Sequence, residues 1–413
     1  MPSQLPREIY TMIVEMRAED RGDFDERLNA LKALSLTSRS LHQLARKHVF
    51  SDVILKDPFD TNLQPAATAS KLQRLLSASP EIAPYIKFLS YCIQPGDRHN
   101  VSLVATFEMI TNLQILELWH SYNRSITYLW DHRLHVLKPG LLHLMRLPTL
   151  TTLRLSMIEN FAISDLSSCN SIKHLELHRV DTDIAAMANP ANPALSYVPL
   201  RIPKLHVHTL SLTTSWALCL AKCADGRPFI DFIGINDLVL QVYVAKDMIT
   251  VILLLSCCVR LKTVHFEVLN PGRRWGRIPL WGLLHPSLGT LTEISFNFII
   301  NWVQFGNATA DPFGGLFREL YMLRNRNKIE TISIELCIGS GTNFSVGTEW
   351  NALDFALEDS GWPTLKLVRL DIVLPGPRRP ALENMLHNAC RTRFPNMMAS
   401  QSVDMIYNIV TDE

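Results

Sequence analysis

Apolar side chains recur at two spacings along this chain, and each spacing predicts its own kind of element. Near the start, "LPREIYTMIVEM" (5–16) sets Leu5, Ile9, Met12, Ile13 and Met16 on one helical face. Pro6 suits a first helical position, where its missing N–H would have had no partner. Glu8 then meets the positive end of the helix dipole. The polar run "RAEDRGDFDE" (17–26) breaks the pattern and predicts a loop. In "LNALKALSLTSRSLHQLARKHVF" (28–50), Leu28, Leu31, Leu34, Leu41 and Leu44 resume helical spacing. The central "SLTSRS" favours a cap or turn, because Ser and Thr compete for backbone hydrogen bonds. Two or three short helices are predicted. So small a bundle buries little area by itself and must lean on a partner or on the rest of the chain.

The second spacing is a hexad, apolar-x-x-apolar-x-apolar. It reads "IKFLSY" (86–91), "LQILEL" (113–118), "LTTLRL" (150–155), "IKHLEL" (172–177) and "VHTLSL" (207–212). It continues as "INDLVL" (235–240), "LKTVHF" (261–266), "LTEISF" (291–296), "IETISI" (329–334) and "LKLVRL" (365–370). Each predicts a short strand. Helix-like apolar segments precede several of them, such as "AKDMITVILLLSCC" (245–258), "PFGGLFRELYMLRN" (312–325) and "NALDFALEDS" (351–360). A strand and a helix per unit, at irregular period, predict an α/β solenoid. The competing reading is an α/β domain with several similar strands. The tail "QSVDMIYNIVTDE" (401–413) reads equally as a cap or as a last strand.

The first 55 residues resemble an F-box. Leu5, Pro6, Glu8, Ile9 and Ile13 match its first part, and Leu31, Ser35, Leu36, Ser38, Arg39, Leu41 and Phe50 its second. The following "LQRLLSASPEIAPYIKFLSYCI" (72–93) is similar to the segment that follows the F-box in fungal F-box-like proteins. Leu41 departs from the aromatic residue found in many members. The resemblance implies docking on the Skp-type adaptor of a cullin ubiquitin ligase, with Leu5, Pro6, Ile9, Ile13, Leu31, Leu36, Leu41 and Phe50 forming the adaptor-facing unit or its core. The hexads resemble leucine-rich repeats, but the position that usually holds Asn is taken by Ile158, Val180, Tyr243, Leu269, Ile299 and Val373 among others; Cys337 alone fits. Together these imply a helical F-box-like domain (1–55), a helical linker (56–85), a degenerate leucine-rich-repeat-like recognition domain (86–400) and a tail (401–413).

Composition narrows the class. At 413 residues and 47% hydrophobic content a large core is possible, and a net charge of +1 argues against a chain built chiefly to hold nucleic acid. The N-terminus lacks the apolar core of a secretion signal. The longest apolar run, "ITVILLLSCCV" (249–259), is too short to span a bilayer and predicts a buried helix. Eight scattered cysteines in an unexported chain predict reduced thiols. The expected location is cytoplasmic or nuclear, without membrane attachment.

No catalytic signature stands out: there is no P-loop, no dinucleotide fingerprint and no His-Glu-x-x-His. "GSGTNFSVG" (339–347) lacks the Lys-Ser/Thr of a phosphate loop and reads as flexible. "HVH" (206–208) with "CLAKC" (219–223) offers zinc-type donors, but His-x-His is an unusual pair and the cysteines sit in an apolar stretch. The basic clusters "PGRRWGR" (271–277), "RNRNK" (324–328) and "PGPRRP" (375–380) read as solvated loops. No cofactor, metal or enzymatic activity is expected. The strand positions facing away from the apolar side are the candidates for contacting a protein target: Glu117, Trp119, Arg154, His174, Glu176, His178, His265, Glu267, Glu335 and Arg369, with Gln241, Glu293, Asn297 and Asp371 alongside. The expected function is a substrate receptor of a Skp–cullin–F-box ligase. The alternatives are an F-box-like scaffold unlinked to ubiquitination and an enzyme with an unrecognised site.

Overall fold

The computed structural model describes residues 7–18, 24–55, 69–94, 97, 99–120, 130, 134–182, 199–223, 226–243, 247–269, 279–300, 312–325, 327–339, 344 and 346–412. The chain divides into two compact units, Met1–Ile172 and Lys173–Glu413.

The first unit opens with three helices, α1 (Arg7–Ala18), α2 (Phe24–Thr37) and α3 (Arg39–Val49). Val14, Leu31, Leu41 and Ala45 are their shared core, with Tyr10, Leu34, Leu44 and Val49 packed around it. Ser38 separates α2 from α3 and caps α3, its Oγ accepting from the Leu41 amide at 3.2 Å. Among the described residues four parallel strands follow: β1 (Asp52–Leu55), β2 (Phe88–Ile93), β3 (Ile115–His120) and β4 (Thr152–Ser156), paired in chain order. The helices α4 (Ala69–Ala78), α5 (Val101–Glu108) and α6 (Lys138–Met145) lie between them in sequence.

Among the described residues the second unit carries eight parallel strands, also paired in chain order wherever they adjoin. They are β5 (His174–His178), β6 (Lys204–His208), β7 (Asp237–Val242), β8 (Thr263–Leu269), β9 (Glu293–Ile300), β10 (Thr331–Ile338), β11 (Leu367–Pro375) and β12 (Asp404–Asp412). Its helices are α7 (Leu212–Leu220), α8 (Asp247–Cys257), α9 (Leu280–Leu284), α10 (Leu316–Leu323), α11 (Glu349–Leu357), α12 (Pro380–Arg393) and α13 (Pro395–Ala399). Alternate strand residues are buried, as in Val264, Phe266 and Val268 of β8, while the residues between them stay partly open. Aromatic rings run through this core in contact, from Phe266 to Phe296, Phe298, Phe313, Trp350 and Phe394, with successive centroids 5.3 to 6.4 Å apart.

A hydroxyl staple recurs at the strand entrances. Thr149, Thr290 and Thr364 each stand one residue before a hexad, and each donates to the carbonyl that opens the preceding hexad: Leu113 at 2.8 Å, Leu261 at 2.9 Å and Ile329 at 3.0 Å. Each bond satisfies a carbonyl at a loop-to-strand junction and fixes the spacing of neighbouring entries.

Three expectations are corrected. The α/β alternation is present, but the irregular leucine-rich-repeat-like solenoid is not what the chain shows. Among the described residues it shows all-parallel strands alternating with helices, divided between two units. The hexad misled because it records only that one strand face is buried, which any parallel strand covered by helices also requires. The hexad "VHTLSL" is also misplaced: β6 ends at His208, Thr209 adopts φ 49°, and Ser211 caps α7 through the Thr214 amide. The hexad that marks this strand is instead "IPKLHV" (202–207), whose Pro203 precedes the ladder at Lys204. Finally, the polar run 17–26 is partly helical, since α1 reaches Ala18 and α2 starts at Phe24.

The remaining nine hexads overlap strands, and residues 404–412 of the tail form β12, parallel to β11. The run 249–259 largely falls in α8, which buries Thr250, Val251, Leu254 and Leu255 but leaves Ile249 and Ile252 partly exposed. Among the described residues no helix is long and apolar enough to cross a membrane.

Candidate functional site

In the helical unit, the expected adaptor residues separate into distinct roles. Leu31 and Leu41 are core, 2% and 8% exposed. Ile9, Ile13 and Phe50 are half-buried. Leu36 is 87% exposed, the most open large apolar side chain described, and Met12 and Met16 are 51% and 67% exposed. Leu5 and Pro6 lie outside the described residues. A helical unit that packs one set of leucines and presents another set of apolar side chains to water has a surface suited to a partner.

The candidates on strands also separate. Glu117, Trp119 and Arg154 belong to the first unit. Glu117 is in register with Arg154, and the Trp119 indole donates to Ser90 Oγ at 3.2 Å. The others belong to the second unit, where strand register assembles them into rows. One row reads Glu176, His206, Val239, His265, Ser295, Ser333 and Arg369. The next reads His178, His208, Gln241, Glu267, Asn297, Glu335, Asp371 and Asn408.

The densest part of these rows lies on β5 and β6. Alternation puts His174, Glu176 and His178 of β5 on one face, and Lys204, His206 and His208 of β6 beside them. Four of the chain's 14 histidines thus occupy six adjoining positions. The His174 and His206 rings meet edge to face at 4.5 Å, and those of His178 and His208 at 5.8 Å. The Glu176 carboxylate reaches both β6 imidazoles, 3.9 Å from His206 Nδ1 and 3.8 Å from His208 Nε2. Glu267 extends the cluster, 4.0 Å from His208 Nδ1, 3.9 Å from His265 Nε2, and accepting from the Gln241 amide at 2.7 Å. His265 Nδ1 is bonded to Ser295 Oγ.

The His206 contact with Glu176 is not an ion pair at neutral pH. Burial first, then the neighbouring His174 and the Lys204 ammonium, push His206 down to about 3. Burial also lowers His178, reinforced by His208 and Arg179, and lowers His265 against the opposing pull of Glu267. Glu335, further along, is raised by burial and then by Asp371 and Glu267. The face therefore holds neutral imidazoles at His178, His206 and His265 beside carboxylates, an arrangement that accepts hydrogen bonds and can coordinate cations.

The two pairs of zinc-type donors in the sequence part company. His206 and His208 join the β5 residues, whereas Cys223 Sγ contacts the Pro228 carbonyl at 3.8 Å and Cys219 interacts with Cys257. The basic clusters are partly structural. Arg324 binds Ser360 Oγ at 2.9 Å and Glu358 at 3.4 Å, and Arg379 donates to the Ile338 carbonyl at 2.7 Å. The cluster 271–277 lies outside the described residues, as does most of the expected loop 339–347.

Sequence reading nominated His174, Glu176 and His178 but left His206 and His208 off the face. Once β6 is placed correctly, "KLHVH" carries the same alternation as "HLELH", and that repeated pattern was the available signal. No protein-family model and no curated protein matches the chain.

Proposed function

We propose that this chain is a non-catalytic receptor: α1–α3 dock on a Skp-type adaptor of a cullin ubiquitin ligase, and the polar strand face of the second unit holds a protein target. The observation that carries this reading is the division of side chains within α1–α3. Val14, Leu31, Leu41 and Ala45 close the core, while Met12, Met16 and Leu36 are left exposed beside it. Exposing large apolar groups to water is unfavourable at about 25 cal/mol per Å², so covering them with a partner's apolar surface would favour association. The ordered F-box resemblance of residues 5–55 names the partner class. A receptor of this kind contributes proximity and orientation rather than bond-making side chains. The target face, with its imidazoles, carboxylates and amides, offers directional contacts suited to a polar protein surface.

Co-expression of the full chain with a Skp-type adaptor tests the reading. The expected result is a complex that co-elutes through size-exclusion chromatography. A chain that elutes alone, with folded circular-dichroism spectra, contradicts it.

A further inference from the structure

The β5–β6 cluster has a property that target binding does not require. One ligand atom from each of His174, Glu176 and His206 lies within 4.8 Å of the other two. Glu176 and His206 face each other on adjacent parallel strands and His174 lies two residues before Glu176 on the same face, so backbone pairing rather than loop conformation fixes their separation. His206 Nε2 and His208 Nε2 are buried and make no hydrogen bond. Imidazole nitrogens withdrawn from water without a hydrogen-bond partner are costly unless something else takes up their lone pair or proton.

We propose that His174, Glu176 and His206 bind one divalent transition-metal ion of the zinc class. Two imidazoles and one carboxylate are a common set of three protein ligands for such an ion, and they leave one position open. At tetrahedral angles and bond lengths of about 2.0–2.1 Å, ligand atoms stand roughly 3.3 Å apart. Closing the present spacing needs side-chain adjustments on the order of 1 Å, within reach of the χ angles of His and Glu. The two nitrogen donors select against Ca²⁺ and Mg²⁺, which prefer all-oxygen shells.

The surroundings fit the ion. On the β6 side, Lys204 stands in register beside His174, and it is held to Asp237 at 3.0 Å, which offsets its charge. His208 approaches the far oxygen of Glu176 at 3.8 Å, where it can orient the carboxylate as an outer partner. Glu267 adds negative charge beyond His208.

The test uses the full chain, stripped with a chelator and titrated with Co²⁺, whose visible spectrum reports coordination, followed by Zn²⁺ competition. The expected result is one ion per chain, a cobalt spectrum of four- or five-coordinate intensity, and displacement by Zn²⁺. His206→Gln and Glu176→Gln should each weaken binding at least tenfold, while His265→Gln, two strands away, should leave it unchanged. Thermal melts of each variant show whether it is folded, and His174→Gln supplies a further ligand variant should one fail to fold. Absence of binding by the wild type, or binding unchanged by the Glu176 and His206 substitutions, overturns the proposal. Adaptor binding by α1–α3 is read separately, so failure of one proposal is distinguishable from failure of the other.

Discussion

Glu176 and His206 face each other across β5 and β6 with Oε2 and Nδ1 3.9 Å apart, yet the imidazole is neutral at pH 7 because burial, His174 and Lys204 hold its pKa at about 3. The sign of the resulting pH dependence follows. A buried base with a depressed pKa binds fewer protons folded than unfolded, so stability is lost as pH falls from about 6.5 toward 3. The groups facing His206 are His174, Glu176, Lys204, Asp237 and His208, and Glu176 does not reverse the direction. Denaturant midpoints measured at pH 7 and pH 4 should differ, and His206→Gln should shrink the difference by on the order of 1–3 kcal/mol. An undiminished difference in the variant places the acid sensitivity elsewhere.

Leu31 and Leu36 separate folding from docking. Leu31→Ala removes a core side chain shared with Val14 and Leu41, and should destabilise the helical unit by about 2–4 kcal/mol. Leu36→Ala, at an 87% exposed position, should change stability by less than about 0.5 kcal/mol. Thermal melts monitored by helical circular dichroism decide this, and equal losses at the two positions contradict the packing described.

The hydroxyl staples give a smaller, directional effect. Thr290→Val keeps the shape but removes the donor to the Leu261 carbonyl, and should cost about 1 kcal/mol. Thr151→Val is the comparison: its hydroxyl is exposed and holds a longer 3.2 Å bond to Gln114, so a smaller loss is expected. Urea unfolding that ranks the two the other way removes the staple's significance.

Asp354 is buried and accepts from the amides of Met397 at 3.0 Å and Asn396 at 3.1 Å, at the start of α13. Asp354→Ala orphans both amides and should cost on the order of 2–3 kcal/mol. Burial raises the Asp354 pKa, so the folded state holds its proton more tightly than the unfolded chain. This group alone therefore favours folding as pH falls through its raised pKa, opposite in sign to His206. Carboxyl chemical shifts followed by NMR over acid pH check the direction, and an unshifted or lowered value contradicts it.

Much of this fold was legible because burial writes itself into spacing. Val264, Phe266 and Val268 alternate along β8, and Ser38 stood where a cap was expected. β6 was missed because "VHTLSL" imitates a strand, whereas Thr209 turns the backbone out of the ladder. The site was half legible for a related reason. His174, Glu176 and His178 could be nominated from their own strand, but their meeting with His206 and His208 depends on pairing across some 30 residues, which no local pattern encodes. The division into two units at residues 172 and 173 left no compositional mark, since the same hexad runs across it.

Titration of the full chain with a purified Skp-type adaptor, by calorimetry, tests the central claim most directly. The wild type should form a one-to-one complex. The combined Met12→Glu, Met16→Glu and Leu36→Glu variant should lose it while melting at the wild-type temperature, since all three side chains are exposed. No heat of binding with the wild type, or an affinity unchanged in the triple variant, contradicts the adaptor-docking account.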